Sequence, residues 1–415
     1  MEKQGKNLDD LLNSNRALII RFLQQFTSCS RADLSKASGL TQATITKIVR
    51  DLLDTGLVIE TGFVDGRKGR RSIGLKLNRD RYKVIGVKLS RGSISSCVYN
   101  IAGEKYESEQ SAITSDENVN TVLSIMVEQI RTLLSKHQDI IAIGVAVPGP
   151  YLKKEGRIEL ITDTGGWHDI SIRDALIDAF DLPVFIEHDA NAGALAYYWM
   201  GPIDVAKKEC IVHVLASEGI GAGVLIDGKI VTGSQGIAGE VGHISIDYNG
   251  IPCECGNYGC LEKYCSSKSF EKNVTKQLLD NRGSILAGEG EITAQKVFEA
   301  MRKKDAFATR MVEEVGTFLA RGIITIVYMY NPSVIVISDI MSGGGDVLLD
   351  SIKYTLKKQL LSVVYDNLTV KLCSIDDDLI RLGAGVVAFD SILAEPMRYL
   401  KRDSALYPKQ RSDPS

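Results

Sequence analysis

The feature that most constrains this chain is a tight group of metal-binding side chains. Gly239-Glu240-Val241-Gly242-His243 is followed by Cys253-Glu254-Cys255-Gly256-Asn257-Tyr258-Gly259-Cys260-Leu261-Glu262. One imidazole and three thiolates, His243, Cys253, Cys255 and Cys260, form a complete tetrahedral set for Zn2+. The intervening glycines tolerate the backbone angles of a loop wrapped around an ion. Because protein donors fill every position, no site is left for an activating water, and the ion is expected to be structural. Cys265 is spare and is expected to pack inside. Cys29, Cys97, Cys210 and Cys373 are scattered among apolar residues. Such crowding of only some cysteines favours metal over disulfides and fits a reducing compartment.

At 415 residues the chain exceeds one compact core, so two or three domains are expected. No apolar run is long enough to cross a bilayer, and the first residues lack the apolar region of a secretory signal. These features predict a cytoplasmic protein with no membrane partner. The net charge of -3 hides an asymmetry: residues 1–80 carry 14 Lys/Arg against 9 Asp/Glu, a balance of +5 that leaves -8 for the remainder. A basic head on an acidic body suits a polyanionic partner for the head.

The head reads as a DNA-binding module. Apolar residues from Leu11 to Phe26 recur at helical spacing. Ser30 caps a short second helix that Gly39 ends, and Thr41 caps a third helix to about Asp54. The third helix turns Ile45, Ile48, Val49, Leu52 and Leu53 to one side. Gln42, Ala43, Thr44, Thr46, Lys47 and Arg50 are the expected DNA-reading residues, since Gln, Thr and Lys can meet adenine, thymine and guanine edges. Strands at 57–59 and 73–77 flank the basic loop Asp65-Gly66-Arg67-Lys68-Gly69-Arg70-Arg71. Arg67, Lys68, Arg70 and Arg71 form a wing that reaches phosphates or a narrow minor groove. The predicted head is thus a winged helix-turn-helix for double-stranded operator DNA.

After Asn78 the pattern becomes α/β and repeats itself. Lys83 to Asn100 reads as strand, turn, strand, with a third strand after Gly103. Glu209 to Val231 repeats the plan around Gly219-Ile220-Gly221-Ala222-Gly223. Further strands at 140–147 and 334–338 follow in the two halves. Two similar α/β halves predict two lobes with a ligand cleft. The expected divisions are a head at 1–80, a body at 81–400 and a polar tail at 401–415. Within the body, lobe 1 covers about 81–205, lobe 2 about 206–385, and a C-terminal helix about 380–397.

With Val147-Pro148-Gly149-Pro150, Glu187-His188-Asp189-Ala190-Asn191-Ala192 and Tyr330-Asn331-Pro332 added to the metal run, the chain resembles the ROK family of sugar kinases and sugar-responsive repressors. The likeness covers nearly the whole chain and is greatest to the repressor branch that holds xylose and N-acetylglucosamine regulators. It implies a two-lobed, actin-like sugar-kinase fold with a structural zinc loop. It also implies that Glu240 and Glu262 accept hydrogen bonds from sugar hydroxyls, and that His243 serves both zinc and sugar. Asp189 matches the kinase general base and is expected to bind sugar here. His188 and Asp163 stand at further sugar-site positions, where the family more often has other residues. Tyr197 and Tyr198 replace a common acid.

The nucleotide half departs from the kinase pattern. Lys88-Leu89-Ser90-Arg91-Gly92 stands where the kinases carry an Asp-x-Gly-Gly-Thr-like turn, and Ser338-Asp339-Ile340-Met341 stands where a glycine-rich turn meets the nucleotide. A Lys in place of a magnesium-assisting carboxylate and an Asp beside polyphosphate both oppose ATP binding. The expectation is therefore a regulator, probing DNA as a homodimer or homotetramer and answering a small sugar effector, rather than an enzyme. The alternatives are a sugar kinase with a regulatory head, and a zinc-stabilised protein whose head binds another protein.

Overall fold

The first helix, α1 (Leu8–Gln25), buries Ile19, Ile20 and Leu23, and its neighbours follow from local capping chemistry. β1 (Cys29–Ser30) ends in Ser30, which caps α2 (Arg31–Ser38). Its hydroxyl accepts from Asp33 N while the Asp33 carboxylate accepts from Ser30 N, closing a reciprocal box. Gly39 then turns left-handed at φ 71°, and Thr41 caps α3 (Gln42–Asp54). Ile45, Ile48, Val49 and Leu52 of α3 are buried as their spacing predicts, and Leu53 is only half-buried. The hairpin strands β2 (Val58–Asp65) and β3 (Arg71–Leu77) are longer than the sequence suggested, so Asp65 and Arg71 lie in strands. β1 adds a third strand to this sheet, pairing Cys29 with Leu75.

Arg16 on α1 is buried and pairs with Asp51 on α3 at 2.5 Å, with Asn13 at 2.9 Å as a second partner. Removing one member of a buried pair strands the other charge, at a cost of about 3–5 kcal/mol. Asp51→Ala is thus expected to lower the stability of the head by about 3 kcal/mol. Urea unfolding of the full chain, followed on a head-specific probe, would read this, and an unchanged midpoint would remove the pair from the account.

The structure, a computed structural model, describes residues 8–26, 28–65, 71–114, 117–161, 165–202 and 209–400. Beyond the head the chain runs through β4 (Lys83–Leu89), β5 (Ser93–Asn100), β6 (Lys105–Ala112), α4 (Val119–Lys136) and β7 (Ile140–Val147). A small hairpin of β8 (Tyr151–Leu152) and β9 (Arg157–Ile158) precedes α5 (Ile172–Ala179), β10 (Val184–His188) and α6 (Asp189–Met200). Then come β11 (Cys210–Ala216), β12 (Ile220–Ile226), β13 (Lys229–Ile230), α7 (Glu262–Cys265), α8 (Ser267–Leu278), α9 (Ala294–Arg302) and α10 (Ala306–Tyr330). The rest is β14 (Val334–Ser338), α11 (Gly345–Gln359), α12 (Ser362–Tyr365), β15 (Thr369–Leu372), α13 (Leu379–Ala394) and α14 (Pro396–Tyr399).

The internal repeat is real. One five-stranded sheet has the order β10-β7-β4-β5-β6 and the other β13-β12-β11-β14-β15. In each, a central strand pairs antiparallel with the next strand and parallel with a later one: β4 with β5 and β7, β11 with β12 and β14. The parallel pairings require helical crossovers, which α4 and the α7–α10 series supply.

Two compact units emerge. The first takes the described residues up to Ala146, Ser171–Glu187 and those from Ala384 on; the second takes Val147–Ile170 and His188–Gly383. The head therefore clusters with the first sheet. Tyr82 donates to Thr55 O (2.5 Å), Gln24 Nε2 to Ile101 O (3.1 Å), and Arg21 pairs with Asp390 of α13 (3.0 Å). In the second unit the core is built from β11, β12 and β14 against α8–α11, with Val214, Phe270, Phe298, Met311, Ile323, Ile337 and Leu348 all buried. Among the described residues no helix is long and apolar enough to cross a membrane.

Candidate functional site

The metal residues sit on one glycine-rich loop between β13 and α7. His243 closes a short 3-10 turn, Val241–His243, and Cys260 immediately precedes Leu261 and α7. Two isolated bridges, Ser245 to Cys260 and Pro252 to Tyr258, fold the loop back on itself. The donor atoms of His243, Cys253, Cys255 and Cys260 all lie within 4.8 Å of one another. Cys255 Sγ is 3.6 Å from Cys260 Sγ, and Cys253 Sγ is 3.7 Å from His243 Nδ1. Zinc–sulfur bonds of about 2.3 Å at tetrahedral angles would set sulfurs roughly 3.8 Å apart, so these spacings suit a four-coordinate ion. Burial, reinforced by the neighbouring thiols, pushes the Cys260 thiol up to about 12. A cation at the centre would reverse that balance by favouring the thiolates. Cys265 is buried, as expected of the spare cysteine.

The same loop serves a second cluster. Gly239 has φ 99°, and a side chain there would put Cβ 2.0 Å from Ala222 O, so only glycine lets the loop press onto β12. That contact presents Glu240 to the start of α6. His188 Nε2 lies 3.3 Å from Asp189 Oδ1 and 3.6 Å from Glu240 Oε1. Asp189 opens α6 and accepts from Ala190 N at 2.6 Å, where the helix N-terminus favours a carboxylate. Glu262 is buried at the first position of α7 and accepts from Ile220 N at 3.1 Å. Burial pushes the Glu240 carboxyl above its usual range. His188 and His243 oppose that rise, and Asp189 and Glu262 add to it. His188, Asp189, His243 and Glu262 therefore all lie within electrostatic reach of Glu240.

Backbone bonding links the two clusters, because His243 N donates to Glu240 O at 3.2 Å. His243 turns Nδ1 to the thiols. Asp163 lies outside the described residues. The two tyrosines do not join the acids. They stand two turns along α6 from Asp189, about 12 Å by helical rise. Tyr197 is fully buried with Lys371 over its ring, and the Tyr198 hydroxyl packs on Gly228 of the β12–β13 turn.

Sequence reasoning missed His213. It is fully buried on β11, bridging Ala190 O (2.8 Å) and Ser338 Oγ (2.7 Å). It thereby ties the first turn of α6 to the end of β14. A lone histidine in an apolar strand carries no signal of such a role. The adjoining turn is unusual. Asp339 holds φ 72° and ψ -156°, a conformation that glycine adopts readily and other residues at a cost of about 1–3 kcal/mol. Its carboxylate accepts from Ser217 Oγ and Ile340 N, both at 2.8 Å.

In the head, Gln42, Ala43, Thr46, Lys47 and Arg50 are exposed on α3. Thr44 is half-buried and engaged with the Thr41 cap through N and Oγ1 (3.2 and 2.9 Å). Arg67, Lys68 and Arg70 lie outside the described residues, and Arg71 begins β3.

Comparison with known proteins extends this picture over most of the chain. The xylose repressor of Caldicellulosiruptor bescii is 28% identical over 389 residues, covering 92% of this chain and 97% of the repressor. A solved ROK family transcriptional regulator, a homologue of the Escherichia coli Mlc protein, matches with a TM-score of 0.79 and 26% identity. That match covers 93% of this chain and 97% of the regulator. A ROK family glucokinase from Streptomyces griseus, solved with glucose and AMPPNP, shares the fold at a TM-score of 0.67 and 22% identity, covering 74% of this chain and 99% of the kinase. The model of the ROK family matches residues 84–397, and this chain belongs to the ROK family.

Proposed function

We propose that this chain is a sugar-responsive, DNA-binding transcriptional repressor of genes for carbohydrate uptake or catabolism. The observation that carries the reading is the full-length likeness to repressors and to a transcriptional regulator, head included, joined to a converging set of carboxylates and imidazoles. Sugars are dense arrays of hydroxyls, and Asp189, Glu240 and Glu262 supply acceptors for them. His188 and His243 lie among these acids; Asp163 is proposed as a further sugar-binding residue on the family resemblance alone.

Zinc is the proposed metal, held by His243, Cys253, Cys255 and Cys260. It supplies a structural clamp that fixes the loop carrying Glu240. The head, 1–80, is proposed as a winged helix-turn-helix that lays the exposed side of α3 in the major groove. Gln42, Ala43, Thr44, Thr46, Lys47 and Arg50 read or grip there, while Arg67, Lys68, Arg70 and Arg71 contact the backbone from the wing. The remaining divisions are a body at 81–400, with lobes of about 81–205 and 206–385 and a C-terminal helix of about 380–397, then a tail at 401–415. The protein works in the cytoplasm as a homodimer or homotetramer whose paired heads match two half-sites about one helical turn, or a multiple, apart.

Coupling requires the sugar to favour one arrangement of the heads over another, and it cannot exceed that difference in affinity. The Arg21–Asp390 pair and the Gln24–Ile101 hydrogen bond tie α1 to the body and offer a path for this. The kinase reading has Asp189 and the fold in its favour. Against it stands Asp339, whose carboxylate occupies a glycine-like turn where the kinases approach polyphosphate.

A thermal-shift screen of mono- and disaccharides, with hits retested on the chain's own promoter fragment, tests the proposal. A sugar that shifts melting and weakens promoter binding is expected; rapid ATP-dependent phosphorylation without any effect on DNA would overturn it. Glu240→Gln is expected to weaken the sugar found in this way at least tenfold, the worth of a hydrogen bond to a charged group. Titration calorimetry would read the change. Equal affinity would exclude Glu240 from the sugar site.

A further inference from the structure

The metal loop is uneven in its exposure. Cys260 is buried and Cys255 is exposed, yet their sulfurs are 3.6 Å apart. In a zinc-loaded site both are thiolates, the form that oxidants attack, and attack follows solvent access. A second thiolate at van der Waals distance serves as a resolving partner. The sulfurs must close by roughly 1.5 Å to bond. The segment between them contains Gly256, at φ 90° with open space around it, where the backbone can adjust without a side chain in the way.

We propose that this site is also an oxidant-operated switch, in which a peroxide joins Cys255 to Cys260 and expels the metal. The proposal rests on the metal-bound reading given above. The Cys255 thiolate attacks one peroxide oxygen, the O–O bond breaks, and hydroxide leaves, giving a sulfenic acid. The Cys260 thiolate then attacks that sulfur and displaces a second hydroxide, forming the disulfide. Two thiolates lose one electron each and the peroxide gains two. Cys253 and His243 alone then remain as ligands, too few to hold a structural ion.

The consequence reaches the acid cluster, because His243 and Glu240 share one turn through the 3.2 Å bond from His243 N to Glu240 O. Releasing His243 frees the segment that holds Glu240 beside His188. The effector response is therefore lost under oxidation and regained when thiols and metal are restored. The buried cysteines are bystanders. The Cys29 thiol, for one, is raised to about 11 by burial and the nearby Asp33, and so stays protonated and unreactive.

The experiment uses the purified full chain, with zinc measured by atomic emission before any oxidant is added. Hydrogen peroxide is then titrated in with a metallochromic indicator present, and the product is digested and mapped by mass spectrometry. One zinc released per chain, with one Cys255–Cys260 crosslink, reversed by dithiothreitol plus zinc, is the expected result. Zinc retained at peroxide levels that fully oxidise glutathione, or released without that crosslink, overturns the switch alone. A chain purified with no metal removes the metal-bound reading and the switch together.

Discussion

Cys260→Ser is expected to purify without metal and to melt well below the parent chain. The donors of His243, Cys253, Cys255 and Cys260 sit within 4.8 Å of one another, so in the proposed zinc site each thiolate would supply one quarter of a closed coordination shell. Structural zinc sites have apparent binding free energies of about 10–16 kcal/mol at neutral pH, and this energy is coupled to folding. If only about 5 kcal/mol of that reaches the second unit, its Tm falls by roughly 10 °C or more. Cys260 is the informative choice because it is buried and adjoins Leu261 and α7, whereas a surface ligand such as Cys255 leaves more room for water to substitute. Cys265→Ser is the control. Its sulfur is buried a turn away and donates to Leu261 O, so it stays out of the shell and the variant keeps its metal. Metal content and Tm equal to the parent's in Cys260→Ser would dispose of the site.

The same loop shows why some of this molecule was legible in advance and some was not. Cysteine and histidine side chains have few reasons to crowd at that spacing, so the four residues that the structure brings within 4.8 Å of one another could be named from order alone. Capping is equally local: Ser30, Gly39 and Thr41 announce the ends of α2 and α3 by what their side chains, or the lack of one, do to the nearest backbone. The paired sheets were visible because hairpins and their turns repeat in the sequence at corresponding places. What stayed hidden depends on partners distant in the chain. His213 bridges Ala190 and Ser338 across three elements, and β1 is a two-residue strand that exists only because β3 lies beside it. Tyr197 and Tyr198, which stand where the family often has an acid, lie two turns along α6 from Asp189, one in the core and one on the Gly228 turn, a placement that sequence order alone does not give.

Replacing Arg67, Arg70 and Arg71 together with Ala is expected to weaken promoter binding roughly a hundredfold near physiological salt, since each phosphate contact contributes about 0.9 to the logarithmic salt slope. The slope per head should drop by about 2–3 in the same experiment. Charge balance favours the head as the place for such contacts. It carries a net charge of +5 while the remainder carries -8, so on net charge a polyanion is drawn to the head rather than the body. Lys47→Ala on the exposed side of α3 separates grip from reading. Lost guanine recognition would show as weakened binding to the promoter with little change on random DNA, and a lost phosphate contact as equal weakening on both. The wing triple should behave in the second way. Measured by fluorescence anisotropy across a salt series, unchanged affinity in the triple variant would mean that the loop between β2 and β3 does not touch DNA. The basic head would then be a surface for another protein.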